Sequence, residues 1–411
     1  MLLTERIILK TNKQIPKQHL SYLCHIAKNL YNEANYQIRQ NFLKKKTWIR
    51  YNELYQKIKS SENYKLLPAQ TSQQILRLLD RNWKSFFRTL KVWKKDPEKF
   101  SSRPRIPKYK RKDGEFLLIF TKQQVRIKNG LLQFPKKIGL TVKTRITSGI
   151  HEVRIIPKGI VYILEIIYEQ EEINLELDKN RIMGIDLGLN NLVTVVNNAL
   201  KPFIVKGGVI KSINQYYNKQ LARLRAIKDK QGYKFETKRI QRLNLKRNNK
   251  ISDYFHKVSK HIINYCKTNN IGTIIIGYNE KWKEQIAKNN HKMYKDICKK
   301  NNQNFVQIPF FKLINMIQYK AKLVGIRVVL VNESYTSKCS FFDNEKVEYH
   351  RKYKGTRIKR GLFRTFNGKI INADVNAAYN IIIKAVPKAF DKVDGIEAFG
   401  VTPVSVRIEK I

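Results

Sequence analysis

A chain of 411 residues has room for two or three domains and a full hydrophobic core. Its 82 Lys and Arg against 32 Asp and Glu leave a net charge of +50 spread over the whole length; a compact fold tolerates that best beside a polyanion, so nucleic acid is the expected partner, whether bound as in a ribosome or acted upon. Four cysteines far apart without CxxC spacing, Cys24, Cys266, Cys298 and Cys339, argue against a disulfide framework or thiolate zinc site, and no apolar run approaches the roughly 18 residues of a membrane span.

The N-terminal LLTERIILK alternates well enough for a strand over residues 2–9, and its internal charges are unlike a signal peptide. In HLSYLCHIAKNLYNEA, Leu20, Leu23, Ala27, Leu30 and Ala34 recur at three- and four-residue spacing, which predicts an amphipathic helix. TSQQILRLLDRNWKSFF predicts a second, with Ile75, Leu78, Leu79, Asn82 and Phe86 on one face, Trp83 and Phe87 flanking, and Thr71 or Ser72 as N-cap. The proline-punctuated KFSSRPRIPKYKRKDGE reads as an exposed basic loop. From Phe116 to about Glu171 the short runs FLLIF, QVRIK, LLQFP, VRIIP and VYILEIIYE are separated by Gly, Pro and Lys turns. With the first strand they predict a small β-barrel into which the helices are inserted.

A third texture starts near residue 180. RIMGIDLGLNNLVTVVNN gives a strand ending in Asp186, a tight Gly-Leu-Asn turn and a second strand, Leu192 to Val196. A short strand in PFIVKGG is followed by a long basic helical stretch over about 209–269, a strand in GTIIIG, a helix from Pro309 to Val324, a strand IRVVLVNE and a last helix from about Ala373. Hairpin-linked strands followed by alternating helices and parallel strands are the order of an RNase H-like domain. The tail after about Lys388 has weak patterning and is expected to be partly disordered or RNA-bound.

Asp186 ends an apolar strand just before Gly188; alone, such an Asp is most often a turn residue. Asp374, in INADVNAAYNII, opens an alanine-rich helix slim enough to lie close on a sheet, where it either complements the helix dipole or holds a metal rigidly. Two-metal phosphodiester cleavage requires about three carboxylates converging on ions roughly 3.5–4 Å apart. Hard oxygen ligands suit Mg²⁺, without His or Cys. The third carboxylate is missing from its obvious place, since GTIIIGYNEKWKE runs from a buried strand into Gly277 and meets its first acid only at Glu280.

The ordered series GIDLGLNNLVTVV, DYFHKVSKHIINYC, IIIGYNEKWKEQ, NNQNFVQIPFFKLINMIQYKA, ESYTSKCS and INADVNAAYNI resembles the TnpB proteins of insertion sequences, RuvC-like RNA-guided DNA endonucleases related to the ancestors of type V CRISPR effectors. The resemblance is dense over about 180–385 and looser before. It implies an α/β RNase H-like (RuvC) nuclease domain plus an N-terminal β-barrel (wedge) with an inserted helical recognition domain. The corresponding ranges are 1–10 and 115–178 for the barrel, 11–114 for the helices, 179–337 and 367–385 for the nuclease, 338–366 for a degenerate zinc-ribbon or target-loading region and 386–411 for a tail.

The resemblance also implies that Asp186 and Asp374 are the first and third catalytic acids and ligands of Mg²⁺ or Mn²⁺. The family's middle glutamate falls on Gly277. Glu280 lies three residues further on, beyond the strand. Glu333 closes the neighbouring strand, whose C-terminal end should sit at the same sheet edge, roughly 4.8 Å away. The rigidity of a strand end favours Glu333 as middle acid and metal ligand, with Glu280 as runner-up; with neither, the chain is a guided DNA-binding repressor without catalysis.

Only Cys339 remains where relatives carry four zinc-binding cysteines, and His350 is a lone imidazole, so no zinc is expected. By resemblance, Gln73, Gln74 and Arg77 lie where a short motif beside the target is read; Gln and Arg can contact base edges bidentately. In the basic loop Lys108, Lys110 and Arg111 surround Tyr109, which can stack on a base. Lys211, Lys219 and Arg223 line a nuclease-domain helix in position for phosphate. The implied partners are a guide RNA from the transposon end and double-stranded target DNA with an adjacent motif, in prokaryotic cytoplasm at the nucleoid, with no membrane and no protein partner. A guide-independent RNase H-like nuclease is the other reading, against which the large basic N-terminal half argues.

Overall fold

The computed structural model describes residues 1–9, 16–279, 303–359, 361–391 and 403–408. It separates into two compact units, Met1–Gln170 and Glu171–Ile411. No described helix is long and apolar enough to cross a membrane.

In the first unit, strand β1 (Leu2–Ile8) pairs antiparallel with β7 (Val161–Glu169), which pairs with β6 (Ile150–Lys158), which pairs with β2 (Leu118–Thr121). The helices α1 (Lys17–Lys45), α2 (Tyr51–Ile58), α3 (Glu62–Leu66) and α4 (Ala69–Lys95) lie in sequence between β1 and β2, so they are inserted into that sheet. A second sheet of β3 (Arg126–Lys128), β4 (Leu131–Gln133) and β5 (Thr141–Lys143) contains one strand that the sequence pattern did not reveal. Among the described residues these strands form two sheets, of four and of three strands. Both sheets and the helices share one core.

Helix α4 starts after Pro68 and has no side-chain cap. Thr71 and Ser72, expected as caps, are buried within its first turn, where Ser72 Oγ donates to Tyr64 O at 2.9 Å. Because α4 packs on both α1 and β2, its buried stripe is wider than the pattern suggested. Trp83, expected at the flank, is fully buried and donates through Nε1 to Asn35 Oδ1 at 3.0 Å, while Leu78 is at the rim.

The second unit has a six-stranded sheet. Strand β8 (Asp178–Leu187) pairs antiparallel with β9 (Asn191–Asn197), β9 with β10 (Phe203–Lys206), and β8 is parallel to β11 (Ile271–Gly277), itself parallel to β12 (Arg327–Val331). This is the hairpin-then-parallel order read from the sequence. The single basic helical stretch is in fact two helices, α5 (Gly208–Lys230) and α6 (Lys238–Thr268), because Gly232 adopts a positive φ and Thr237 caps α6, its Oγ1 accepting from Ile240 N at 3.4 Å. Helix α7 (Phe310–Lys322) packs on α6.

The strand period of two assigns the faces. Met183, Ile185, Ile274 and Ile276 join the core under α6 and α7, whereas Ile182 and Ile275 join the core under α8 (Ala373–Ala385). Gly184 shows how closely α8 approaches: a Cβ there would lie 2.6 Å from Ile382 Cγ1 and 2.8 Å from the Ala378 carbonyl. Between β12 and α8 a small antiparallel sheet of β13 (Thr356–Lys359), β14 (Leu362–Arg364) and β15 (Ile370–Asn372) runs straight into α8, six residues past the expected edge of the 338–366 region. The C-terminal segment is not all irregular: β16 (Val404–Val406) adds a parallel strand beside β10.

Candidate active site

Asp186 shares the face of Ile182 and Gly184, and so points toward the side of the sheet covered by α8. Asp374 stands in the first turn of α8, with Asn372 as N-cap; Asn372 Oδ1 accepts from the backbone N–H of Asp374 at 3.0 Å and of Val375 at 3.1 Å. The two carboxylates repel each other. Desolvation, reinforced by Asp374, pushes the Asp186 carboxyl up to about 7, with Arg357 opposing the shift.

Two further side chains enter this site that the sequence reading did not single out. Asn191 at the start of β9 donates from Nδ2 to Asp374 Oδ2 at 2.7 Å. Arg357 on β13 brings a guanidinium nitrogen to 3.6 Å from Asp374 Oδ1. Asn191 lies within GIDLGLNNLVTVV without a distinguishing feature of its own, and Arg357 is one cation among many in a basic stretch that only the fold brings here. Lys211, expected to face phosphate, instead donates to Asn190 Oδ1 in the turn that follows Asp186, and Gly207 N donates to Asn190 O at 2.7 Å. The turn is thereby clasped from the start of α5.

At the end of β11, Gly277 pairs with Val331, and the register one step earlier pairs Ile276 with Ile185. Gly277 therefore lies beside Asp186 at the same sheet edge. A Cβ on Gly277 would lie 2.5 Å from Ile381 Cδ1 and 3.3 Å from Glu333 Oε2. The Glu333 carboxylate thus reaches the space beside the glycine. Strand β12 ends at Val331, so Glu333 lies two residues beyond it in the following loop, which corrects its expected place at the strand's end. Glu280, the runner-up, lies outside the described residues.

Helix α8 also fixes the loop that carries Glu333. Asn380 Nδ2 donates to Thr336 O at 2.8 Å and Cys339 O at 2.7 Å, Asn376 Nδ2 donates to Cys339 O at 2.8 Å, and Asn376 Oδ1 accepts from Phe341 N at 3.0 Å. Both amides are fully buried. Cys339 is itself buried against Glu348 O, and His350 bonds to the Lys346 carbonyl. Among the described residues no three His, Cys, Asp or Glu side chains already stand close enough together to enclose a metal ion.

In the first unit the basic loop lies along α1, held by reciprocal bonds of Asn32 to the backbone of Lys110 (2.9 and 2.8 Å) and by Lys28 Nζ to Lys112 O at 2.6 Å. Lys110 turns inward, its Nζ 4.9 Å from the Tyr31 and Phe116 ring centres, which corrects its expected outward role. Tyr109 stays exposed, with Arg39 stacked 4.5 Å from its centre, and Lys108 and Arg111 are exposed. On α4, Gln73 and Gln74 are half-buried, whereas Arg77 is exposed and lies over Tyr51. Lys219 and Arg223 are exposed on α5.

Residues 165–283 match the OrfB_IS605 family, described as a probable transposase, and residues 310–381 match a Cas12f1-like TNB domain. A TnpB-like protein, ORF457 of Acidianus two-tailed virus, is 24% identical over 90% of this chain and 84% of its own. The CRISPR-associated endodeoxyribonuclease Cas12f1 of Sulfoacidibacillus thermotolerans is 28% identical over 65% of this chain and 62% of its own, so the match leaves over a third of that relative uncovered. The fold is shared with Cas12f1 in a cryo-EM complex with guide RNA and target DNA, at TM-score 0.53 and 16% identity over 88% of this chain and 81% of that one. The two carboxylates at the β8–α8 contact thus sit in a chain that is TnpB-like and related to the type V effectors.

Proposed function

We propose that the chain is an RNA-guided DNA endonuclease that hydrolyses phosphodiester bonds beside a short adjacent motif, with Asp186, Glu333 and Asp374 as ligands of Mg²⁺. The observation that carries this reading is the Glu333 carboxylate beside Gly277, at the sheet edge where Asp186 is the last residue but one of β8. A cation suits the donors: all are hard oxygens, and the Asp186–Asp374 repulsion is only partly relieved by Arg357. When bound, Mg²⁺ polarises the phosphate and activates water for attack.

The chain's own residues do the rest. Asn191 fixes the Asp374 carboxylate, the clasped 188–190 turn fixes Asp186, and the buried amides of α8 fix the loop of Glu333. Arg357 presents a positive charge toward a bound phosphate. The first unit supplies the wedge and recognition surfaces, where Arg77, Lys108 and Tyr109 are exposed, and a relative named as a CRISPR-associated endodeoxyribonuclease, with a structural neighbour solved with guide RNA and target DNA, supports RNA and DNA as partners. The test compares wild type with Asp186→Ala and Glu333→Ala as ribonucleoproteins on a programmed DNA target. Both variants should lose cleavage while retaining guide RNA; full cleavage by Glu333→Ala removes that residue from the site. A guided binder without catalysis is the second reading, favoured by the lack of a ready three-ligand metal cluster among the described residues. Absence of cleavage by the wild-type ribonucleoprotein would select it.

A further inference from the structure

Helices α5 and α6 do not close fully on each other. Between them opens a cavity of about 290 Å³, with Ile213 and Leu243 forming its apolar part, Tyr216 at the rim, and Lys246, Arg247 and Lys250 on the α6 side. It shares no residue with the carboxylate cluster. No carboxylate lines it, and Lys246 and Lys250, one helical turn apart, are exposed and form no ion pair among the described residues.

Arg247 is held in place. Its Nε donates to the buried Asn214 Oδ1 at 2.9 Å, its Nη2 to Gln307 O at 2.8 Å and its Nη1 to Asn248 Oδ1 at 3.3 Å, and its guanidinium lies 5.1 Å from the Tyr217 ring centre. Tyr217 is fixed in turn by its OH donating to Asn244 Oδ1 at 2.8 Å. Burial lowers the pKa of Arg247, yet the guanidinium stays cationic at a fixed point with only neutral hydrogen-bond partners, which favours an anion over a structural ion pair. Tyr216, by contrast, is 57% exposed, with its ring at the cavity mouth.

Apolar walls, a free aromatic face and three cations together match one chemical class. We infer that this cavity binds a single unstacked nucleotide, the base against Tyr216, Ile213 and Leu243 and its phosphate on Lys246, Arg247 and Lys250. A surface that only tracked phosphates would need the cations but neither the cavity nor the aromatic rim.

The experiment uses full-length protein freed of nucleic acid, and short oligonucleotides carrying one 5-iodouracil, in RNA and DNA arms of identical sequence. Light-induced crosslinks are mapped by mass spectrometry, and affinity is measured for the intact oligonucleotide and for one with an abasic site. The expected result is a crosslinked peptide containing Tyr216 or Tyr217, the arm with the higher yield identifying the source. Tyr216→Ala should weaken binding about 5-fold or more and abolish the preference for the intact over the abasic oligonucleotide, while Tyr216→Phe keeps both. Tyr216 is exposed enough that these variants fold, which an unchanged melting temperature checks. Crosslinks with no enrichment at residues 212–217 in either arm, or an unchanged base preference in Tyr216→Ala, would overturn the inference. Neither readout requires cleavage, so the result is independent of the carboxylate site.

Discussion

Gly277 is small because its neighbours need the room. The side chain it lacks would press on Ile381 Cδ1 at 2.5 Å and come within 3.3 Å of Glu333 Oε2. Gly277→Ala should therefore cost about 1–3 kcal/mol, because a methyl group must displace a packed isoleucine. The Ile381 methyl is the movable partner, so adding Ile381→Val, which removes that atom, should return most of the loss. Denaturant unfolding of the single and double variants measures both. If Gly277→Ala proves neutral, the close approach of α8 to the end of β11 is looser than the structure has it.

At the scale of elements, α8 does more than present Asp374. Asn376 and Asn380, one turn apart, bond the backbone of the loop after β12 and so position Glu333 from beneath. Asn380→Leu leaves the Thr336 carbonyl buried without its donor and should cost about 1–3 kcal/mol. Its sharper effect is expected on cleavage, measured below the melting transition, with guide-RNA affinity unchanged; loss of RNA binding in parallel would mark a global defect instead. The α6–α7 contact offers a second test. Lys320 Nζ donates to His256 O and Ser259 Oγ, both at 2.7 Å, and desolvation, with repulsion from Lys260, lowers its pKa from 10.5 to about 8. Below pH 8 the ammonium is charged in both folded and unfolded states, so its burial penalty is fully present. Between about 8 and 10.5 the unfolded chain binds more protons, so stability rises with pH. Unfolding curves of wild type and Lys320→Met should show the difference moving in favour of lysine across that window, and a flat difference would mean the amine is well solvated.

These elements also show what was legible beforehand. Asp186 and Asp374 could be read because a strand ending in a glycine turn and an alanine-rich helix announce themselves locally. Glu333 was expected at the end of a strand parallel to that of Gly277; β11 and β12 do run parallel and end together at Gly277 and Val331, with Glu333 in the loop two residues further on. Arg357 and Asn191 carry no such signal, since their relation to Asp374 depends on a small sheet and a hairpin meeting across the α8 N-terminus. The buried role of Asn380 was hidden because an amide on an apolar helix face looks the same in sequence whether it bonds a loop or a ligand. Lys110 and Lys211 looked like phosphate contacts by charge alone, yet each is turned onto its own fold.

At the scale of the whole molecule the dominant fact is charge. A net +50 is not neutralised by ion pairs, which among the described residues are mostly exposed pairs such as Lys57–Glu53 and Lys99–Asp96; such pairs contribute at most about 1 kcal/mol each. The free chain is therefore under self-repulsion, strongest at low ionic strength, where the Debye length grows from about 8 Å at 0.15 M to about 30 Å at 0.01 M. Salt should raise the melting temperature of the nucleic-acid-free protein, the reverse of what a fold dependent on surface ion pairs would show. A structured RNA polyanion should raise it further at constant salt, because binding to the folded state adds to the relief of repulsion. The two effects must oppose each other: as salt rises, RNA affinity falls through counterion competition, and the added stability from RNA shrinks with it. Melting curves over a salt series with and without RNA should thus converge at high salt. Parallel curves would show that the RNA is held mainly by uncharged contacts, and a fall in the free protein's melting temperature with salt would show that its basic surface is already internally compensated.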